Sequence, residues 1–217
     1  MDSVLKKRAE NDFVELLYVA RSLKLKHPEL AIKAVQNLFK QGNNVRLTMI
    51  GGPFDGNKQS EKVFEYCKQQ EKMTPDCLRV LGAVDNASVR EIMLKSDVFV
   101  FTSDRNEGWG ASLNEAMSSG CACIVSDAIG SSNFLIEDGV NGLLFKNKDV
   151  SSLAEKILMT LNVDYRSKLS RNAYQTMLKE WQPNIAAERL VNLIQQLSEG
   201  KDTIYKSGPC SKAYPVK

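Results

Sequence analysis

Six short apolar runs, set between segments of helical period, decide what this chain can fold into. The runs fall at about 14–20, 45–51, 78–81, 98–102, 121–126 and 142–145. Val98-Phe99-Val100-Phe101 and Cys121-Ala122-Cys123-Ile124-Val125 are apolar at consecutive positions, not alternate ones. A strand with water on one face alternates, whereas a strand covered on both faces does not. Helical spacing predicts helices over 28–41, 60–70, 88–96, 111–119 and 131–136. Pro28 suits a first helical turn and Gly42 the far end of the same helix. The alternation specifies an α/β fold: a doubly wound, mostly parallel, six-stranded Rossmann-like sheet with helices on both faces. From about Val150 the pattern is helical throughout, over 150–161, 164–181 and 184–197. Residues 1–199 therefore read as one domain. Residues 200–217 read as a tail, loosely ordered unless docked on a partner surface.

Composition narrows the class. A chain of 217 residues with 43% hydrophobic and 25% charged residues can bury a sizeable core. A net charge of +3 is too small to argue for a nucleic-acid partner. The longest basic block is Lys6-Lys7-Arg8; it reads as part of a solvated tail, with contact to an anionic membrane surface as the alternative. No apolar stretch approaches the roughly 20 residues that a spanning helix needs. Met1 to Lys6 lacks the apolar run of a secretory leader, so the expectation is a cytoplasmic chain, peripheral to a membrane at most. Five cysteines are an odd count. On a strand Cys121 and Cys123 would face one side, as buried thiols. A metal site would need CxxC spacing or histidine partners, and the one histidine is His27.

The chemistry gathers in one segment. Glu107-Gly108-Trp109-Gly110-Ala111-Ser112-Leu113-Asn114-Glu115 follows an apolar strand and runs into a helix. Free backbone N–H groups and the helix dipole make such a turn an anion site, and Gly108 and Gly110 let the backbone approach phosphate oxygens closely. Singly, Glu107 reads as an exposed loop acid and Glu115 as a helix-surface acid. Two carboxylates beside an anion site make sense together if the ligand also offers hydroxyls, as a sugar joined to a diphosphate does. Arg21, at the end of the first strand, and Lys26, just before the helix that Pro28 opens, could clamp that diphosphate: arginine as a planar fork, lysine as a point charge. Alone they read equally as surface cations. Gly51-Gly52-Pro53 follows the second strand but lacks the Lys-Ser/Thr of a P-loop, so it is a plain turn or a backbone lining of the crevice. Trp109 either stacks on the ligand or caps the crevice. His27 reads as incidental, and Ser126-Asp127 and Asn141-Gly142 as structural. Arg21, Gly51 and Glu107 all fall just after strands, where ligands of doubly wound sheets bind. No GxGxxG follows the first strand, which disfavours a dinucleotide oxidoreductase.

In order along the chain, Leu17-Tyr18-Val19-Ala20-Arg21 leading to Lys26, Gly51-Gly52, Val80-Leu81-Gly82, Ser96-Asp97-Val98-Phe99-Val100, the Glu107–Glu115 segment and Gly139-Val140-Asn141-Gly142 form a series. From about Phe13 to about Leu197 the series resembles the carboxyl-terminal, nucleotide-sugar-binding domain of the group 1 (family 4) retaining glycosyltransferases. The resemblance implies one half of a GT-B fold, in which twin Rossmann-like domains face a cleft. It implies a donor-binding half that serves transfer of a hexose from a UDP- or GDP-linked sugar to a glycan or lipid-linked acceptor, with no cofactor. Arg21 and Lys26 would hold the diphosphate. The amides around Gly108, Trp109, Gly110 and Ala111 would bind the sugar and its phosphate. Glu107 would accept from sugar hydroxyls and Glu115 would hold the ribose. Backbone near Gly51, Gly82 and Ala83 would line the crevice and meet the base. Such chemistry needs no metal, and the sequence has no Asp-x-Asp pair.

The sequence departs from the family pattern in two places: Ala20 stands where the family has glycine before the arginine, and Lys26-His27 replaces a Lys-Gly pair. It also begins about where the family's second domain should begin. The resemblance thus implies an excised domain, the product of a split or truncated gene, or one subunit of a split enzyme. A lone half should bind donor weakly and transfer sugar poorly or not at all. The alternatives are a stand-alone sugar-nucleotide binding module and a sugar-nucleotide epimerase or hydrolase of similar fold; the Arg21–Lys26 spacing fits the latter less well.

Overall fold

A computed structural model describes residues 1–20, 26–53 and 56–212. Strands form where the apolar runs lie: β1 (Val14–Val19), β2 (Val45–Ile50), β3 (Leu78–Gly82), β4 (Val98–Phe101), β5 (Ala122–Ser126) and β6 (Leu143–Phe145). They make one sheet in the order β3-β2-β1-β4-β5-β6, with every neighbouring pair parallel. The connections are helical: α2 (Pro28–Lys40), α3 (Lys58–Met73), α4 (Asn86–Lys95), α5 (Ala111–Ser118) and the short α6 (Ser132–Leu135). Helices α7 (Val150–Met159), α8 (Val163–Glu180) and α9 (Pro183–Ser198) follow the last strand, and α1 (Asp2–Arg8) precedes the first. Asn57, Asp85, Asp149 and Asn162 start their helices by accepting a backbone N–H two or three residues on, as N-cap residues do.

The consecutive apolar positions are explained by two cores, one on each face of the sheet. Leu16, Tyr18, Val98, Val100 and Ile124 pack with Ile32 and Val35 of α2 and Leu153 and Ile157 of α7. Their alternate neighbours Leu17, Phe99, Phe101 and Val125 pack with Leu113 and Met117 of α5 and Ala173 of α8. Each of these larger side chains contributes about 1.5–3 kcal/mol by leaving water, so both faces are needed. Cys121 and Cys123 both lie in the second core, buried and free, as their spacing predicts. Burial pushes the Cys121 thiol up to about 11.

The amino-terminal basic triplet is not a solvated tail. It ends α1, and although Lys6 and Lys7 are exposed, Arg8 is only 4% exposed. Its guanidinium donates to the carbonyls of Leu94 (3.1 Å), Met93 (3.0 Å), Ser119 (3.0 Å) and Gly120 (2.6 Å). Those carbonyls close α4 and α5, where a helix has acceptors without intrahelical donors and a negative dipole end. Nearby, Arg166 of α8 pairs with buried Asp97 at 3.2 Å, and Asp97 also accepts the Glu15 backbone N–H at 2.9 Å. At the other terminus the tail is docked on the chain's own α9 as far as Pro209. Arg189 donates to the Ser207 carbonyl and stands 4.7 Å from the Tyr205 ring, and Asn192 donates to the Tyr205 hydroxyl at 2.9 Å. Among the described residues, no helix is long and apolar enough to cross a membrane.

Candidate functional site

The strand order reverses between β1 and β4. The chain leaves the top of β1 toward β2 and the top of β4 toward β5, so the two loops part and open a crevice, the usual ligand position in such sheets. The loop after β1 supplies Lys26 and His27. Arg21 lies in it too, outside the described residues. The loop after β4 supplies residues 102–110 and then α5.

Gly110 shapes the second loop. Its φ is +75°, and a Cβ there would stand 2.5 Å from two atoms of the Phe101 ring, so only glycine fits. It is the residue before α5, whose first N–H groups point into the crevice end of the helix. Gly108 has open space around it and is exposed. Ala111 opens α5 and is exposed, and Glu115 is exposed one turn further along. Gly130 is a glycine that the sequence reading missed: a Cβ there would run into the Gly108 carbonyl oxygen, so the segment after β5 supports the turn from the side. Trp109 is 39% exposed. Its indole N–H donates to Asn114 at 2.8 Å, and its ring packs against Phe134 and Trp181 at centroid distances of 5.7 and 5.3 Å. It forms part of an aromatic row on the rim of the turn.

On the other side of β1, Gly51 and Gly82 sit together. Gly51 donates its N–H to the Gly82 carbonyl at 2.8 Å, and a Cβ on Gly51 would strike the Ala20 carbonyl. Glycine at 51 is thus required by the close approach of the β1 and β2 ends. Gly82, with φ +74°, ends β3.

Lys26 and Glu107 meet directly. The ammonium pairs with the Glu107 carboxylate, and both side chains are largely shielded, at 13% and 15% exposure. Lys26 Nζ also stands 4.6 Å over the Phe101 ring, and the Ser103 hydroxyl donates to Glu107 at 3.2 Å. A cation at an aromatic face and a carboxylate with a hydroxyl donor are each held in one place.

His27 is held between two carboxylates. Its Nε2 lies 2.9 Å from Asp104 and its Nδ1 3.2 Å from Glu29. The Thr102 hydroxyl reaches the Lys26 carbonyl at 2.6 Å and the His27 carbonyl at 3.0 Å. Burial alone would push the Asp104 carboxyl up. The Asn106 backbone N–H and the His27 ring outweigh burial and hold it down to about 2. The Asp104-Arg105-Asn106 run just after a strand was the available signal, since such residues bond the backbone two residues on. Nothing in sequence could pair Asp104 with a histidine 77 residues away.

Comparisons with known proteins bear on the family and the fold. Residues 4–176 match the family described as glycosyl transferases group 1. The uncharacterized glycosyltransferase MJ1069 of Methanocaldococcus jannaschii is 26% identical over 200 residues, covering 88% of this chain and 49% of that protein. The carboxyl-terminal domain of a glycosyl transferase group 1 family protein (LpcC) from Francisella tularensis superposes with a TM-score of 0.67 at 22% identity, over 84% of this chain and 95% of that domain. A point mutant of S. aureus TarM, solved with fondaparinux, α-GlcNAc-glycerol and UDP, superposes with a TM-score of 0.68 at 21% identity, over 84% of this chain and 36% of TarM. The chain spans about half or less of the length of the curated relatives it matches. Below 25% identity the structural likenesses establish the fold, and the family match establishes membership: the chain belongs to the group 1 glycosyltransferases, as a carboxyl-terminal domain of their GT-B fold.

Proposed function

We propose that this chain is the donor-binding half of a glycosyltransferase that moves a hexose from a UDP- or GDP-linked sugar to a glycan or lipid-linked acceptor, with retention and without a metal. One observation carries it. Lys26 and Glu107 are held against each other where a glycine turn opens α5, at the reversal of strand order. Each has a natural partner in a sugar nucleotide: the diphosphate for the ammonium, sugar hydroxyls for the carboxylate. Arg21 joins Lys26 on the diphosphate and neutralises the leaving nucleotide, which is the task a metal performs in other transferases. The amides of Gly108, Trp109, Gly110 and Ala111 take the sugar and its phosphate. Glu115, further along α5, takes the ribose, and the backbone at Gly82 takes the base. The UDP named in the TarM complex supports a uridine donor.

The acceptor belongs to a second, amino-terminal domain of the family's fold. The share of the relatives that this chain spans supports that division. A stand-alone binding module would take the sugar nucleotide and turn nothing over with any acceptor domain. An epimerase or hydrolase would act without acceptor. Calorimetry of the chain with UDP, GDP and their common sugars in EDTA is the direct test. We expect micromolar to millimolar binding of one nucleotide series. No binding across the panel at millimolar ligand would defeat the proposal.

A further inference from the structure

We infer that Asp104 and His27 are positioning residues that lock the end of the β1–α2 loop onto the β4–α5 loop, so that the Lys26 ammonium stands at the glycine turn. The inference rests on the proposed donor site and adds to it two residues that the family's Lys-Gly pattern at this position does not use.

Asp104 ties three loops together. One carboxylate oxygen accepts the Asn106 backbone N–H at 2.9 Å and its side-chain amide at 3.0 Å. The other lies 2.9 Å from His27 Nε2 and 3.6 Å from Lys148 Nζ, which comes from the turn between β6 and α7. His27 and Lys148 have φ of +47° and +62°. They are two of the three non-glycine residues with positive φ among those described, the third being Cys210. A left-handed backbone is costly for a residue with a side chain, and such residues persist where their surroundings hold them. Both of these side chains turn to the same carboxylate.

The stitching continues next door. Thr102, fully buried, reaches the carbonyls of both Lys26 and His27 through its hydroxyl. Lys26 pairs with Glu107 and lies over Phe101. Residues 101, 102, 104 and 107 therefore hold residues 26 and 27 at successive points. Glycine at position 27 would relieve the backbone but release the ring's hold on Asp104. Lysine is a long, rotamer-rich side chain, and a mobile backbone beneath it would spread its ammonium over many positions.

The test uses the full chain and needs no acceptor. His27→Gly removes the ring and suits the left-handed backbone, so it is expected to fold. His27→Gln keeps an N–H donor of similar reach toward Asp104. The ligand-free readout is the Lys26 Cε–Hε NMR signal, assigned by its loss in Lys26→Arg. It should shift in His27→Gly and Asp104→Ala and stay near its wild-type position in His27→Gln. The second readout is UDP and GDP titration. His27→Gly should lose about tenfold in affinity, the scale of one charge-assisted hydrogen bond, and His27→Gln should keep most of it. An unmoved Lys26 signal in His27→Gly overturns the inference, as does unchanged nucleotide affinity in a variant whose thermal midpoint alone has moved. If the wild-type chain binds neither nucleotide, the donor-site proposal falls, and the Lys26 signal alone decides this one.

Discussion

At the scale of single residues, the two glutamates and the lysine separate by the part of the ligand each would meet. Lys26→Ala should weaken nucleoside diphosphate binding by about 1.5–3 kcal/mol, the scale of a charge-assisted hydrogen bond lost from a phosphate site. Calorimetry with UDP and GDP reads it directly, and an unchanged affinity would remove the clamp. Glu115 stands on α5, further along the helix than the turn that carries Glu107. Glu115→Ala should therefore weaken nucleoside diphosphate and sugar nucleotide alike, because both carry the ribose. Glu107→Ala should weaken the sugar nucleotide more than the nucleoside diphosphate; equal loss for both ligands would mean that the turn serves the nucleotide alone. Asp104 makes a separate prediction about stability. Its carboxyl is held at about 2 in the folded chain against an ordinary 3.8. A depressed folded value means the ionised carboxylate adds stability that is fully present above about pH 4. That stability is lost as pH falls toward 2. Asp104→Asn should thus be less stable than wild type at pH 5, with the gap narrowing on acidification through that window. A gap that widened with acid would contradict the assignment.

At the scale of elements, what the sequence made legible is what local pattern controls. Consecutive apolar residues at 98–101 announced a strand covered on both faces, and β4 is covered by separate cores. The Gly108–Gly110 turn and the helix after it were legible because glycine and a helix start leave local marks. Helix α1 was not legible. It is seven residues long in a lysine-rich stretch, and a helix that short is unstable alone. What holds it is Arg8, through carbonyls 85 to 112 residues away, and no spacing rule reports that. Gly130 and the His27–Asp104 contact were hidden for the same reason. Arg8→Ala should cost on the order of 3 kcal/mol, since it leaves buried carbonyls without their donor. Arg8→Lys should recover little, because one ammonium cannot replace a planar fork that reaches four acceptors. Thermal unfolding of both variants, with amide exchange at α1, checks this; full rescue by lysine would mean that charge alone fastens the helix. Gly110→Ala should abolish nucleotide binding more than it lowers stability. The Phe101 ring must move, and Lys26 lies over that ring.

At the scale of the molecule, the described residues form one wall of the proposed cleft. The parallel sheet presents its strand tops, the β1 and β4 loops and the start of α5 on one side, and all of these face the proposed donor. Transfer needs a second reactant held within about an ångström of its reacting geometry and shielded from water, and a single wall supplies neither. Helix α9 has no buried residue, and Leu190, Val191, Ile194 and Leu197 along it are 51–65% exposed. We therefore expect the chain alone to bind its nucleotide sugar, and to show no transfer to glycan or lipid-linked acceptors above the background of donor hydrolysis. Joined to, or mixed with, an amino-terminal group 1 domain that completes the cleft, it should transfer sugar. Glu107→Ala should stop that transfer with the nucleotide still bound. Radiolabelled donor, with acceptor and hydrolysis products separated, distinguishes the cases. Transfer by the isolated chain would show that one wall suffices and that the acceptor site lies within these 217 residues. Donor turnover without any acceptor would instead favour the epimerase or hydrolase alternative.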